Sequence, residues 1–454
     1  MVAARERQLN VILRGVRVID PLAGVDAEGQ DVWLESGLIR AVERHIDTTS
    51  VPVIDFTPAP GAQSLVMCPG FIDLHAHLRQ PGDATVETIA SGAQAAAAGG
   101  FTHVVAMANT DPPIDTPERV AAAVESARDA TVHVMHVAAV SRGLEGERLV
   151  DVRGCIEAGA VALSDDGRNR SGPEVLIEAL RQADQFARPV FVHPEDEQAI
   201  ARVNYQGCPV TRCPDRPPET EVDAVKTAVK ALVRADCGHL HLQHVSASGS
   251  LDHLRRARAA GHVITAEVTP HHLARWAASS PPSPESLRKV NPPLRSWSDR
   301  NAVLTALREG LIDAVATDHA PHRAAEKTAD YAAAAAGMVG LETALAVCLT
   351  LGDMDGAWLP VLVERLTAGP HRVLGGASGV PEPRLSIGQP ASCVLFDPEA
   401  AWTVNAETLR SRSHNTPWIG AELRGRVLLT IANGRIVHSL DARIPVTEEE
   451  AARA

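Results

Sequence analysis

The chain has 454 residues, long enough for one large domain and an accessory one. Its 45% apolar and 22% charged residues are ordinary for a globular protein. The net charge of −13 argues against nucleic acid as a partner, because a phosphate binder needs a basic face. No apolar run reaches the roughly 18 residues of a membrane helix, and the charged first ten residues lack the apolar core of a secretion signal. We therefore expect a cytoplasmic protein.

At both ends of the chain the sequence predicts short strands separated by turns. Their predicted ranges are 10–19, 31–34, 38–42 and 51–56, followed near the C-terminus by 391–396, 402–404 and 426–437. The Asn433-Gly434 pair inside the last range favours a hairpin turn. We predict that residues 1–65 and 384–440 pair into a small flanking β-sandwich domain, and that the acidic, alanine-rich tail 441–454 is disordered.

Between these ends, apolar runs alternate with helical stretches. The runs are 66–74, 102–107, 132–140, 160–164, 189–193, 240–245, 263–268 and 314–318. Continuous apolar strands separated by helices indicate a parallel sheet, and eight such units are the count of a (β/α)8 TIM-like barrel. We predict that this barrel spans residues 66–383.

Polar residues fall at the ends of these runs, where barrels of this type carry their catalytic residues. His75 and His77 lie two apart at the end of the first strand and so share a face. Two neutral imidazoles on one face suit a divalent metal such as zinc. Arg79 adds a fixed cation nearby, which indicates an anionic substrate. An isolated pair of this kind is also compatible with structural histidines.

Further candidate ligands follow the later strands. They are an aspartate of the Asp165-Asp166 pair, His193, His244 and Asp318. A carboxylate can bridge two cations, and an aspartate such as Asp318 can also move protons. Each residue alone is more often a packing or capping residue, but so many at successive strand ends are hard to explain that way.

The chain also has seven cysteines, an odd and mostly scattered set that fits reduced thiols in a cytosolic enzyme. Cys208 and Cys213 flank a short loop in a Pro- and Arg-rich segment, 205–218. They could chelate a metal, but no second cysteine pair completes a structural zinc set.

Several long motifs resemble the amidohydrolase superfamily, and specifically the dihydroorotases of the bacterial class I type. They include PGFIDLHAHLRQPG (69–82), LSDDG (163–167), HPED (193–196), HVSASGS (244–250), VNPPLR (290–295), DRNAVLTALREGLIDAVATDHAPH (299–322) and GMVGLETAL (337–345). They follow one another in order over nearly the whole chain.

The resemblance implies roles for individual residues. His75 and His77 would hold a first zinc ion, His193 and His244 a second, and Asp166 would bridge the two. Asp318 would be the catalytic acid/base and a metal contact. The substrate's carboxylate would be bound by Arg79, Asn109 and His322, and its pyrimidine ring by Asn291 and the Ala336-Gly337 backbone.

Two departures from the family pattern concern neighbours of these residues. Ala108 stands where the family often has proline, and Ala336 where it often has phenylalanine. Both put the packing of the substrate in doubt rather than the chemistry.

The four lysines are Lys226, Lys230, Lys289 and Lys327, so none can lie on the fourth barrel strand. Many relatives of this superfamily, hydantoinases and allantoinases among them, bridge their metals there with a carbamylated lysine. Asp166 is the carboxylate available instead.

The expected activity is that of a zinc-dependent hydrolase which interconverts N-carbamoyl-L-aspartate and L-dihydroorotate in pyrimidine biosynthesis. One alternative is a related cyclic amidohydrolase, such as an allantoinase or hydantoinase. A second is an inactive, dihydroorotase-like structural partner of aspartate transcarbamoylase. Arg79, Asn109 and the missing lysine count against the first alternative, and the complete ligand set counts against the second. We expect a homo-oligomer, and a complex with aspartate transcarbamoylase remains compatible with activity.

Overall fold

The structure is a computed structural model, and it describes residues 10–47, 50–168, 170–195, 216–274, 284–328, 330–351 and 357–444. Cys208, Cys213 and most of the segment 205–218 lie outside these residues, as does the tail from 445 onwards. Within the described part of the predicted tail, Ile444 is buried against the flanking core.

Strands from both chain ends form one flanking sheet. From the N-terminal end come β1 Asn10–Asp20, β2 Val25–Glu35, β3 Leu38–Glu43, β4 Val53–Asp55 and β5 Val66–Pro69. From the C-terminal end, numbered after the eight strands of the second sheet, come β14 Cys393–Thr403, β15 Glu422–Ala432 and β16 Arg435–Ser439. The order is β16-β15-β14-β5-β1-β2-β3, with β4 paired to β1. The hairpin at Asn433-Gly434 joins β15 to β16, as predicted. The predicted strands 391–396 and 402–404 are one strand, β14, with an irregularity between Asp397 and Ala401.

Eight parallel strands form the second sheet, which confirms the predicted barrel. They are β6 Phe71–Ala76, β7 Phe101–Ala106, β8 His133–Ala138, β9 Ala160–Ser164, β10 Pro189–Val192, β11 His239–Leu242, β12 Ile264–Val268 and β13 Ala314–Val315. Each pairs with its sequence neighbour, in the unbroken order β13 to β6. A bridge between Ala76 and His319 brings the last strand segment back to the first, and the His77 amide donates to the His319 carbonyl at 2.8 Å.

Helices follow the barrel strands and cover them from outside. They are α1 Ile89–Ala98, α2 Pro117–Ser126, α3 Val152–Glu157, α4 Pro173–Asp184, α5 Pro218–Ala235, α6 Ser248–Ala259, α7 Pro270–Leu273, α8 Trp297–Arg308, α9 Ala344–Leu351, α10 Trp358–Leu366 and α11 Ala368–Leu374. Short 3-10 helices span Arg142–Leu144, Glu285–Arg288, Ala324–Glu326, Gly376–Ser378 and Ala406–Thr408. The Thr88 hydroxyl caps α1 by accepting the Ser91 amide, and the buried alanines of α1 allow close packing on the barrel.

The predicted strand 66–74 is wrong in one respect, because it is divided between the two sheets. Its first part, β5, pairs with β1 and β14, and its second part, β6, begins the barrel. The break falls at Gly70, where an added Cβ would lie 2.2 Å from Cγ2 of Thr102. Apolar continuity alone does not reveal such a change of partner, because both halves are buried.

Candidate active site

The first strand places two imidazoles beside a carboxylate from the fourth. His75 Nε2 lies 3.3 Å from Asp166 Oδ1, and His77 Nε2 lies 3.4 Å from Asp166 Oδ2. All three residues are buried, and one ligand atom from each falls within 4.8 Å of the others. Together they could hold a metal ion, and we call them the first metal group.

The second metal group shares Asp166 and adds imidazoles from the fifth and sixth strands. Asp166 Oδ1 lies 3.4 Å from His193 Nδ1 and 3.8 Å from His244 Nε2. The two imidazole nitrogens are 2.8 Å apart. Among the described residues, Asp166 is the member common to both groups.

Asp318 follows the eighth strand and faces the first metal group. Its Oδ1 lies 3.0 Å from His77 Nε2 and 3.6 Å from His75 Nε2. Burial alone would raise the pKa of Asp318, but the charges of nearby imidazoles, His75 foremost, hold it well below its usual value. Asp166 behaves in the same way. Both carboxylates are therefore anionic at neutral pH.

These residues fit a divalent metal ion. Within the described residues, His75 Nε2 and Asp166 Oδ1 are buried and make no hydrogen bond, although they lie only 3.3 Å apart. Buried polar atoms without a partner are costly, and a bound cation would satisfy both of them. Imidazole nitrogen and carboxylate oxygen are donors that zinc accepts.

Backbone strain concentrates at this site. Arg79, His244 and Asp318 have φ values of 55°, 32° and 46°, in a region that residues with side chains seldom occupy. Such conformations cost about 1–3 kcal/mol each and persist where the surrounding structure enforces them. All three residues follow the ends of barrel strands, after β6, β11 and β13.

Two of the predicted substrate residues lie beside the metal groups. Asn109 Oδ1 lies 2.9 Å from His77 Nδ1. Arg79 donates from Nε to the Pro321 carbonyl at 3.2 Å, and its charge is close enough to Asp318 and Asp166 to interact with both. His322 Nε2 donates to the Ala336 carbonyl at 2.8 Å.

The loop that carries Ala336 and Gly337 is closely packed. An added Cβ at Gly337 would lie 2.7 Å from the Ala320 Cβ, and the Gly337 amide donates to the Lys289 carbonyl at 2.8 Å. Asn291 is half-buried on the segment that follows Lys289. Its neighbour Pro292 offers a carbonyl to His272 Nε2 at 3.0 Å.

Sequence reasoning missed the groups that contact the candidate metal ligands from behind. Glu267 contacts His75, Glu195 contacts His193, and Gln243 lies 3.2 Å from His75 Nδ1. Burial raises the pKa of both glutamates, but hydrogen bonds from their histidine partners and nearby charges lower it to about 2 in each case. The sequence does contain a signal for Glu267, which is a charged residue inside the apolar run 263–268. A buried charge is nearly always paired, so a partner for it could have been expected.

A family model described as "Amidohydrolase family" matches residues 66–437. The chain belongs to the amidohydrolase family. This amidohydrolase is 41% identical to the dihydroorotase of Anaeromyxobacter dehalogenans over 437 residues, which cover 95% of the chain and 98% of that relative. It is 36% identical to the dihydroorotase of Geobacter metallireducens, covering 95% of the chain and all of that relative.

Solved structures agree with the fold of this amidohydrolase. L-Hydantoinase (dihydropyrimidinase) from Arthrobacter aurescens is similar with a TM-score of 0.80 and 23% identity, covering 95% of this chain and 96% of that one. Dihydropyrimidinase from Brevibacillus agri has a TM-score of 0.78 and 23% identity, with 95% of each chain covered. No helix within the described residues is long and apolar enough to span a membrane.

Proposed function

We propose that the chain is a dihydroorotase of the bacterial class I type, which closes N-carbamoyl-L-aspartate to L-dihydroorotate and water, and reopens it. The observation that carries this proposal is the pair of metal groups joined by Asp166, beside Arg79. Full-length similarity to dihydroorotases supports the same substrate. The lysine-free fourth strand distinguishes the chain from the lysine-bridged hydantoinases.

Two zinc ions would be held by His75 and His77 on one side and by His193 and His244 on the other, with Asp166 between them. Zinc supplies Lewis acidity, which polarises a carbonyl and lowers the pKa of water from about 15.7 towards roughly 7. Asp318 lies against the first group and can accept a proton from the attacking water. It returns that proton to the ring nitrogen as the amide bond opens. In the closing direction Asp318 takes the proton from the carbamoyl nitrogen.

Arg79, Asn109 and His322 bind the substrate carboxylate that does not react, and Asn291 with the Ala336-Gly337 backbone borders the ring. A local guanidinium explains how a chain of net charge −13 handles an anionic substrate, because nearby cations outweigh the global charge. We further propose that the enzyme is cytoplasmic and forms a homo-oligomer. A complex with aspartate transcarbamoylase is a proposal compatible with that activity.

The test combines metal content with turnover in both directions. Purified protein should contain two zinc ions per chain and should interconvert carbamoyl aspartate and dihydroorotate. Closure consumes one proton, because two carboxylates become one, so the dihydroorotate fraction should rise as pH falls. Turnover of hydantoin or allantoin in place of dihydroorotate would support the alternative amidohydrolase. A metal-free protein that turns over neither ring would support the structural partner.

A further inference from the structure

Each metal group contains one histidine whose outer ring nitrogen meets a buried glutamate. Glu267 on β12 serves His75, and Glu195 beyond β10 serves His193. The two glutamates are 0% and 1% exposed. Glu267 lies on a strand and Glu195 on the segment that follows another, and they approach the two imidazoles at different ring nitrogens.

Glu267 lies between two histidines. Its Oε1 is 2.8 Å from His75 Nδ1, and its Oε2 is 3.1 Å from His241 Nε2. An ionised carboxylate can only accept, so His75 must carry its proton on Nδ1. Its Nε2 then has a lone pair on the side that faces Asp166, where a cation could be held between these two acceptors. The competing contact, from Gln243 Nε2 to the same nitrogen, is longer at 3.2 Å and would require the other tautomer. The shorter, charge-assisted contact determines the tautomer.

His241 is itself fixed from behind. Thr265 Oγ1 lies 2.8 Å from His241 Nδ1, so His241 can keep its Nε2 proton directed at Glu267. His241 and Glu267 are both 0% exposed. A continuous series of hydrogen bonds therefore runs from the half-buried Thr265 through the buried His241 and Glu267 to the candidate metal ligand His75.

Glu195 contacts His193 as Glu267 contacts His75, but at Nε2 of the imidazole instead of Nδ1. Its Oε2 is 3.1 Å from His193 Nε2, which leaves Nδ1 facing Asp166 at 3.4 Å. Arg216 Nη1 donates to the same carboxylate oxygen at 2.6 Å and holds it in place. His193 thus presents Nδ1 where His75 presents Nε2, and in each case the glutamate determines which nitrogen is available.

We propose that Glu267 and Glu195 are positioning residues, one for each metal group, which hold His75 and His193 in the single tautomer and ring orientation that can bind metal. This inference rests on the proposed binuclear function and assigns each metal a separate support. A carboxylate on the outer nitrogen also makes the imidazole a better donor. Loss of such a partner typically weakens metal binding 10- to 100-fold.

Three single variants and the double variant E267Q/E195Q test the inference. E267Q and E195Q keep the side-chain volume and remove the charge. E221Q is the matched control, because Glu221 is equally buried at 0% exposure, and its carboxylate accepts from Ser246 and Ser250. Zinc dissociation constants are measured by competition with a chromophoric chelator on each folded protein. Turnover at limiting and at saturating zinc is recorded alongside.

We expect E267Q and E195Q each to bind one zinc normally and the other 10- to 100-fold more weakly. The double variant should bind both zincs 10- to 100-fold more weakly, and E221Q should match the unaltered protein. Saturating zinc should restore much of the turnover of each single variant. Binding of both zincs within twofold of the unaltered protein in E267Q or E195Q overturns the inference, as does an equal loss in E221Q. If one variant does not fold, the other decides by the same criterion. If the unaltered protein binds no zinc, the proposed function fails, and the inference fails with it.

Discussion

Replacing Asp166 by alanine should empty the metal centre. Its Oδ1 lies 3.3 Å from His75 Nε2 and 3.4 Å from His193 Nδ1, so a cation held by either imidazole would be a near neighbour of this carboxylate, at a separation of about 4 Å or less if Asp166 shares it. One unit charge at that distance is worth about 4 kcal/mol at an effective dielectric constant of about 20. That energy corresponds to roughly 10³ in metal affinity, and it is lost for both groups at once.

The assay is zinc content after dialysis against a zinc buffer, together with turnover of dihydroorotate. We expect Asp166→Ala to hold less than one zinc per chain and to have no measurable turnover, and Asp166→Asn to behave similarly because it also lacks the charge. Asp165→Asn is the control, because Asp165 accepts hydrogen bonds from the Val140 amide at 2.8 Å and the Ser141 amide at 3.0 Å. It should lose about 1–3 kcal/mol of stability and keep its zinc. Full zinc and turnover in Asp166→Ala would refute the proposed centre.

Four further outcomes follow from the same geometry. Asp318→Asn should lower kcat roughly 10²- to 10⁴-fold with KM little changed, because it removes the proton-transfer group, and initial rates at saturating substrate check this. Arg79→Ala should raise KM roughly 10- to 100-fold, because it removes a charge-assisted fork worth about 1.5–3 kcal/mol. In steady-state assays the KM of Arg79→Lys should lie between those of the unaltered protein and Arg79→Ala. Gly337→Ala should lower the free energy of unfolding in denaturant by about 1–3 kcal/mol, because φ is 130° and the new Cβ meets Ala320; an unchanged midpoint would contradict this. Burial lowers the pKa of His103 to about 3, below its unfolded value of about 6.5, so the unfolded chain takes up the proton first. The stability that the folded chain gains from keeping His103 neutral is therefore complete above pH about 6.5 and is lost as pH falls towards 3. His103→Asn removes this titration, so a plot of unfolding free energy against pH should have a smaller slope in this range.

The barrel could be predicted because its signal is local. Each buried parallel strand is a short apolar run, and the helices between them separate the runs clearly. The division at Gly70 could not be predicted this way, because the pairing of Cys68 with Val394 joins residues more than three hundred positions apart. Which strand pairs with another that is so distant in the sequence depends on side-chain packing in three dimensions, and the pattern of apolar residues along the chain does not describe that packing.

The candidate site was predictable for a related reason. The ends of parallel strands meet at one edge, so His75, His193 and Asp318 had to lie close together once the barrel was inferred. Glu267 was missed because it lies within a strand, and its contacts with His75 and His241 depend on the curvature of the closed sheet. Gln243 follows the end of β11 directly, and its contact with His75 likewise joins two different barrel strands.

The divided first strand also affects biosynthesis. Residues 66–69 receive their partner β14 only after the chain has been synthesised past Phe396, whereas His75 and His77 leave the ribosome more than three hundred residues earlier. Domains generally fold as units as they emerge, yet this barrel begins from a segment whose neighbouring strand is among the last to be translated. Completion of the flanking sheet is therefore a late event, coupled to synthesis of nearly the whole polypeptide.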